Sequence, residues 1–175
     1  ILQICVPCDT LAFANAADAA GASLSELRST AVDNLVQPMT MRIKDALNAA
    51  HTHSSFVGTM PVNLSRRSLV SVQKNNYYIA EKTDGVRYLL YVIEQPGTGH
   101  PMAVLMDRKG ALFTLTGSKT LGSALGVNTV LDGELVYNRS LQKMVFLLFD
   151  VLLLDGMENV TKPFGARNDI IGTTV

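Results

Sequence analysis

Residues 144–154 read MVFLLFDVLLL, apolar on both faces of any strand and carrying a single charge, Asp150. A strand of that kind is stable only at the centre of a sheet covered on both sides. The run is too short for a membrane span, which needs about 18–20 apolar residues, and no membrane partner is expected. Residues 77–80, 88–93, 102–106, 112–115, 129–131 and 135–137 are likewise rich in aromatic and β-branched side chains and read as strands. Turn formers separate them, QPGTG at 95–99 and DRKG at 107–110. So little chain lies between these strands that crossover helices do not fit. The spacing favours antiparallel pairing over a doubly wound parallel sheet.

The first part of the chain has a different texture. Residues 1–8 are short and apolar, and 11–22 are Ala-rich, a helix or a linker. Residues 23–50 read as helical in two pieces. Ser23 is the expected N-cap, with Glu26 three residues later as in a capping box. Leu24, Leu27, Val32, Leu35 and Val36 keep roughly helical spacing, Pro38 interrupts, and Met39, Ile43, Ala46, Leu47 and Ala50 resume it. Residues 52–61 read as a loop. The expected organisation is an unassigned N-terminal segment, 1–40, followed by one domain, 41–175, in the α+β class.

Composition narrows the function. Lys and Arg total 15, as do Asp and Glu, so the net charge is zero, and only 17% of residues are charged. Such a chain is neither disordered nor built to bind nucleic acid through one large basic surface, although a local groove is compatible with it. Cys5 and Cys8 form a C-x-x-C pair, but the only imidazoles are His51, His53 and His100, and they lack zinc-finger spacing. Two buried thiols are the simpler reading.

Four clusters could carry chemistry. In EKTDGVR, residues 81–87, Lys82 and Asp84 point to one face of an extended chain, Gly85 permits a tight turn and Arg87 offers a fork of donors. A pocket lysine becomes a nucleophile when its surroundings favour the neutral amine. A solvated, charged turn is the plain alternative. In LDGELV, residues 131–136, Asp132 and Glu134 share a strand face and suit a divalent cation or general base work. In the buried run, strict alternation puts Phe146 and Asp150 on the same face, and Asp150 needs either a structural partner or a site. In DRKG, Arg108 is either a turn residue or aimed at a phosphate.

Taken together and in order, these segments resemble the covalent nucleotidyltransferase superfamily, which comprises mRNA capping enzymes and polynucleotide ligases. Residues 82–87 resemble its K-x-D-G-x-R nucleotidyl-lysine motif, and Met60-Pro61-Val62-Asn63-Leu64-Ser65-Arg66-Arg67 resembles the P-V-S-L-x-R lead of mRNA guanylyltransferases. Met106-Asp107-Arg108, residues 131–136 and residues 146–150 resemble its D-R, D-G-E-L and F-x-x-F-D segments. Thr83, the P-V-x-L-x-R lead and the F-L-L-F-D run favour the capping branch over ATP-dependent polynucleotide ligases. A non-catalytic homologue is the alternative from another class. The joint presence of Lys82, Arg87, Glu134 and Phe146 argues against it.

The resemblance implies a nucleotidyltransferase domain with antiparallel sheets around a nucleotide cleft. It implies mRNA guanylyltransfer: Lys82 attacks GTP, a lysyl-GMP intermediate forms, and GMP passes to the 5′-diphosphate end of RNA, with Mg²⁺ or Mn²⁺. By the same resemblance Thr83, Asp84, Gly85, Arg87, Arg108, Glu134 and Phe146 contact GTP, Phe146 by stacking on guanine. Glu134 serves the metal, and Asp132 and Asp150 order the site. A nuclear location and a partnership with RNA polymerase II are implied only by the capping role. The family's later motifs and its OB-fold domain have no counterpart in the sequence. The expectation is therefore an N-terminal part of such an enzyme, with an incomplete sheet and little or no activity alone.

Overall fold

A computed structural model describes residues 25–47, 56–59, 65–78, 83–114, 125–140 and 143–174. The readings for 1–24, with Cys5 and Cys8, and for Lys82 fall outside the described residues.

Seven strands form one antiparallel sheet: β1 (Ser25–Glu26), β2 (Val86–Glu94), β3 (Pro101–Met106), β4 (Leu112–Thr114), β5 (Thr129–Asn138), β6 (Lys143–Leu154) and β7 (Met157–Glu158). The spatial order is β1-β4-β3-β2-β5-β6-β7. Every pairing is antiparallel, as the short connections require. β5 joins two expected strands, 129–131 and 135–137, into one, because Asp132 and Glu134 continue the ladder between them.

Among the described residues there are three helices, α1 (Thr30–Ala46), α2 (Arg66–Lys74) and α3 (Phe164–Thr174). The N-terminal reading needs correction here. Ser25 and Glu26 pair with Thr114 and Phe113 in β1, so the helix starts only after Ser29. Pro38 sits inside α1 without ending it. A proline in a helix interior costs about 3 kcal/mol. Burial of Val32, Val36, Met39 and Ile43 on one stripe offsets that, at roughly 1.5–3 kcal/mol per side chain. The residues on either side of position 40 thus lie in one helix. α2 lies between the expected loop at 52–61 and the expected strand at 77–80, in a stretch assigned to no element. Its start is a capping box in which Ser65 Oγ accepts the Ser68 N–H (3.2 Å) and Ser68 Oγ accepts the Ser65 N–H (2.7 Å).

The sheet has two apolar faces. The first carries Leu89, Tyr91, Ile93, Val104 and Met106 and packs against the buried stripe of α1. There Tyr91 and Thr40 share a hydroxyl hydrogen bond of 2.8 Å, and burial pushes the Tyr91 phenol up to about 12. The second face carries Leu90, Val92, Leu105, Leu131, Leu135, Phe146 and Leu148 and is packed by Ile170 and Ile171 of α3.

Two irregularities in β6 decide which side chains meet. Gly133 pairs with Leu148, but Asp132 pairs with Asp150, so Phe149 is an extra residue. Leu152 is extra in the same way between Val151 and Leu153. Cross-strand partners share a face. Asp150 therefore stands beside Asp132, while Phe146 stands beside Leu135 on the other side of the sheet. Strict alternation had put Phe146 and Asp150 together, and the bulge at Phe149 separates them.

Candidate functional site

The polar side chains gather at one end of the first face, where the chain enters β2 beside β5. Thr83 Oγ1 donates a hydrogen bond to the Glu134 carboxylate. Gly85 lies against the Leu135 carbonyl and Val136, and a Cβ there would come 2.8 Å from Glu134 Cγ. Only glycine lets the turn approach β5 so closely. The residues that follow Lys82 are thus fastened to Glu134 by a hydroxyl and by close packing. Asp84 is exposed.

Two strand positions further along, Arg87 grips Asp132. Its Nε donates to Oδ1 at 2.8 Å and its Nη2 donates to Oδ2. Its Nη1 donates to the Thr59 carbonyl, and the guanidinium lies 5.2 Å from the centre of the Phe56 ring. The pair is closed over by Gly58, where a Cβ would come 2.6 Å from Asp132 Oδ2 and 3.0 Å from Arg87 Nη2. Asp132 is 1% exposed. Burial pushes its carboxyl above the usual carboxylate range, and the Asp150 charge adds to this. The Arg87 hydrogen bonds and charge, and more weakly the Arg108 charge, pull the other way.

Asp150 has the structural partner that its burial demands. Arg167 of α3 donates from Nε to Oδ1 (2.6 Å) and from Nη2 to Oδ2 (2.8 Å), and the Val151 N–H also reaches Oδ1 at 2.9 Å. Arg167 Nη1 bonds the Lys162 carbonyl, and its guanidinium lies 5.6 Å from the Phe164 ring centre. Two carboxylates on neighbouring strands are tolerated because each has its own guanidinium.

Arg108 stands exposed in the turn after β3, which Asp107 Oδ1 closes by accepting the Lys109 and Ala111 N–H groups. Thr83, Gly85, Arg87, Asp132, Glu134 and Asp150 are gathered on or beside the first face. Phe146 is not among them. Its ring is 3% exposed in the core of the second face, over Gly133. Phe56, Gly58, Thr59 and Arg167 complete the polar cluster without having been picked from the sequence. The first three lie in a stretch read as a plain loop, and Arg167 carries no motif beyond being the lone cation in 163–175.

No group of three His, Cys, Asp or Glu side chains able to hold a metal exists among the described residues. Glu134 still fits a catalytic Mg²⁺ or Mn²⁺. Magnesium is commonly held by one or two carboxylates together with substrate phosphates, and this carboxylate is half-buried with a hydroxyl donor fixing one oxygen.

Comparison with known proteins identifies the family. Residues 25–175 match the family described as mRNA capping enzyme, catalytic domain. The chain is 32% identical over 131 residues to the mRNA-capping enzyme subunit alpha of Schizosaccharomyces pombe, covering 69% of this chain and 33% of that protein. It is 28% identical over 149 residues to the Saccharomyces cerevisiae subunit alpha, covering 77% and 32%. It is 23% identical over 133 residues to the mRNA-capping enzyme of Caenorhabditis elegans, covering 71% and 20%. The chain spans about a third or less of the length of these relatives.

Proposed function

The chain belongs to the mRNA capping enzyme catalytic-domain family, and from that premise we propose that it carries the GTP-binding and lysine-guanylylating half of mRNA 5′-cap guanylyltransfer. The observation that carries the reading is the fastening of Thr83 and Gly85 to Glu134. It ties the residue next to Lys82 to the carboxylate best suited to a metal-bound phosphate.

Lys82 is the nucleophile. Its neutral amine attacks the α-phosphorus of GTP, a P–N bond forms, the bond to the β-phosphate oxygen breaks and pyrophosphate leaves. The 5′-diphosphate end of RNA then takes the GMP, the P–N bond breaks and the lysine is regenerated. A divalent cation would neutralise the developing phosphoryl charge. Glu134 orients that end of the nucleotide with Thr83, and Arg108 reaches toward the phosphates from its turn. Arg87 presents its guanidinium edge to the ribose while Asp132 fixes its orientation. Asp150 holds β6 in register through Arg167. The buried ring of Phe146 packs the strand under Gly133 and is left out of the base contacts. The setting proposed is the nucleus, on transcripts of RNA polymerase II.

The test is label transfer from α-labelled GTP or ATP with Mg²⁺ or Mn²⁺, with mapping of the labelled peptide. The reading predicts acid-labile label from GTP on Lys82, none from ATP, and none in Lys82→Ala. Label from ATP would move the chain to ligase chemistry.

A further inference from the structure

We propose that α2 and the tyrosines after it form a docking strip for single-stranded RNA, leading to the nucleotide end of the sheet. The proposal rests on the function proposed above for the choice of polyanion. The strip itself rests on residues that the reaction does not use.

The net charge of the chain is zero, yet residues 65–78 carry Arg66, Arg67 and Lys74 and no acidic residue. None of the three cations forms an ion pair among the described residues, and α2 buries no side chain. Arg67 and Lys74 are seven residues apart, two helical turns, with Ser71 between them on the same stripe. Tyr77 folds back onto that stripe, its hydroxyl 3.1 Å from Ser71 Oγ. The ring is thus held beside the Ser71 position of the stripe while 56% of the residue stays exposed. Tyr78, 55% exposed, stacks edge-on against Phe164 with centroids 5.1 Å apart. Cations along a track with aromatic faces between them are what single-stranded nucleic acid needs: phosphates meet charge and bases meet rings.

The strip also lies near the reaction. Thr83 follows Tyr78 by five positions, so their Cα atoms are at most about 18 Å apart, at roughly 3.6 Å per residue. Phe164, under Tyr78, also packs on the Arg167 guanidinium that binds Asp150. RNA with its 5′ end at the nucleotide would meet the strip within a few nucleotides.

The experiment is fluorescence anisotropy of a ten-nucleotide 5′-diphosphate RNA against the chain, over a salt series, beside GTP labelling without RNA. The Arg67→Gln/Lys74→Gln double variant should bind RNA about tenfold or more weakly at low salt. Its log–log salt slope should fall by about 1.4, or 0.7 per lost phosphate contact. Tyr77→Ala should lose about fivefold or more through lost stacking. Lys74→Arg should bind as well as the parent, and Arg42→Gln, on exposed α1 surface, should change affinity little. GTP labelling should be the same in all of them, with circular dichroism confirming α2. No RNA binding by the parent chain, an unchanged slope in the double variant, or an equal loss in Arg42→Gln would overturn the proposal. Failure of GTP labelling in the parent chain would instead overturn the functional reading, whatever the RNA data show.

Discussion

Arg87–Asp132 and Arg167–Asp150 are the same chemical object, a bidentate guanidinium–carboxylate pair with both side chains nearly buried, and they do different work. The first is local in space, within the sheet, although its residues are 45 positions apart: its arginine lies on β2, its aspartate on the adjacent β5, and residues 56–59 close over it. The second joins two kinds of element, because its arginine comes from α3, 17 positions after the aspartate, and ties that helix to β6. The aspartates face each other across β5 and β6. In the proposed function the local pair orients a guanidinium toward the nucleotide, whereas the pair from α3 anchors that helix. Burial of an ion pair is weak evidence for stability, since desolvation can cancel the attraction. Here the two pairs keep two facing carboxylates compatible with folding.

The largest effect should come from Arg87→Ala, which leaves Asp132 charged and buried. The expected loss is about 3–5 kcal/mol by urea unfolding. Replacing both partners, Arg87→Met with Asp132→Leu, should restore most of that stability while abolishing GTP labelling. A double variant as unstable as the single would show that the pair supplies more than mutual neutralisation.

Arg167→Ala should cost less, roughly 2–3 kcal/mol, because Asp150 keeps the Val151 N–H. Its signature should be regional. Amide exchange should speed up in α3 and stay slow in β2. Equal acceleration in both would erase the distinction between anchor and aim.

Gly58→Ala should perturb only the local pair. A methyl 2.6 Å from Asp132 Oδ2 must displace the carboxylate, costing about 1–3 kcal/mol. GTP labelling should fall with it, and the Arg167 contacts should be unaffected.

The smallest effect is a pH dependence. Burial raises the Asp132 carboxyl above 3.8, so the folded chain retains a proton that the unfolded chain has lost. This group's contribution to stability is full below 3.8 and declines as pH rises through the raised value. As pH rises above 3.8, through the raised value, the parent should therefore lose stability relative to Asp132→Asn. A difference independent of pH would contradict the assigned cause.

The same contrast explains what the sequence disclosed. The strands were legible because residues 86–94, 101–106 and 143–154 are apolar runs bounded by turn formers. The two motif segments, 82–87 and 131–136, stood out because each is one short contiguous run of the sequence. Long-range facts were not legible. Alternation cannot reveal the bulge at Phe149, so the face shared by Asp150 was misjudged, and Phe146 lies in the core of the other face. Propensity argued for a break at Pro38, but packing of Val36, Met39 and Ile43 carried α1 through it. Arg167 bonds a carboxylate seventeen positions earlier, and no local pattern announces such a partner.

The central claim is that a lysine next to Thr83 forms a covalent bond with GMP. Mass spectrometry of the chain after incubation with GTP, ATP or no nucleotide tests it most directly, with Lys82→Ala in parallel. The account predicts a GMP adduct on the peptide containing Lys82, seen with GTP alone and absent from the variant. An AMP adduct, or a GMP adduct that survives Lys82→Ala, would contradict it.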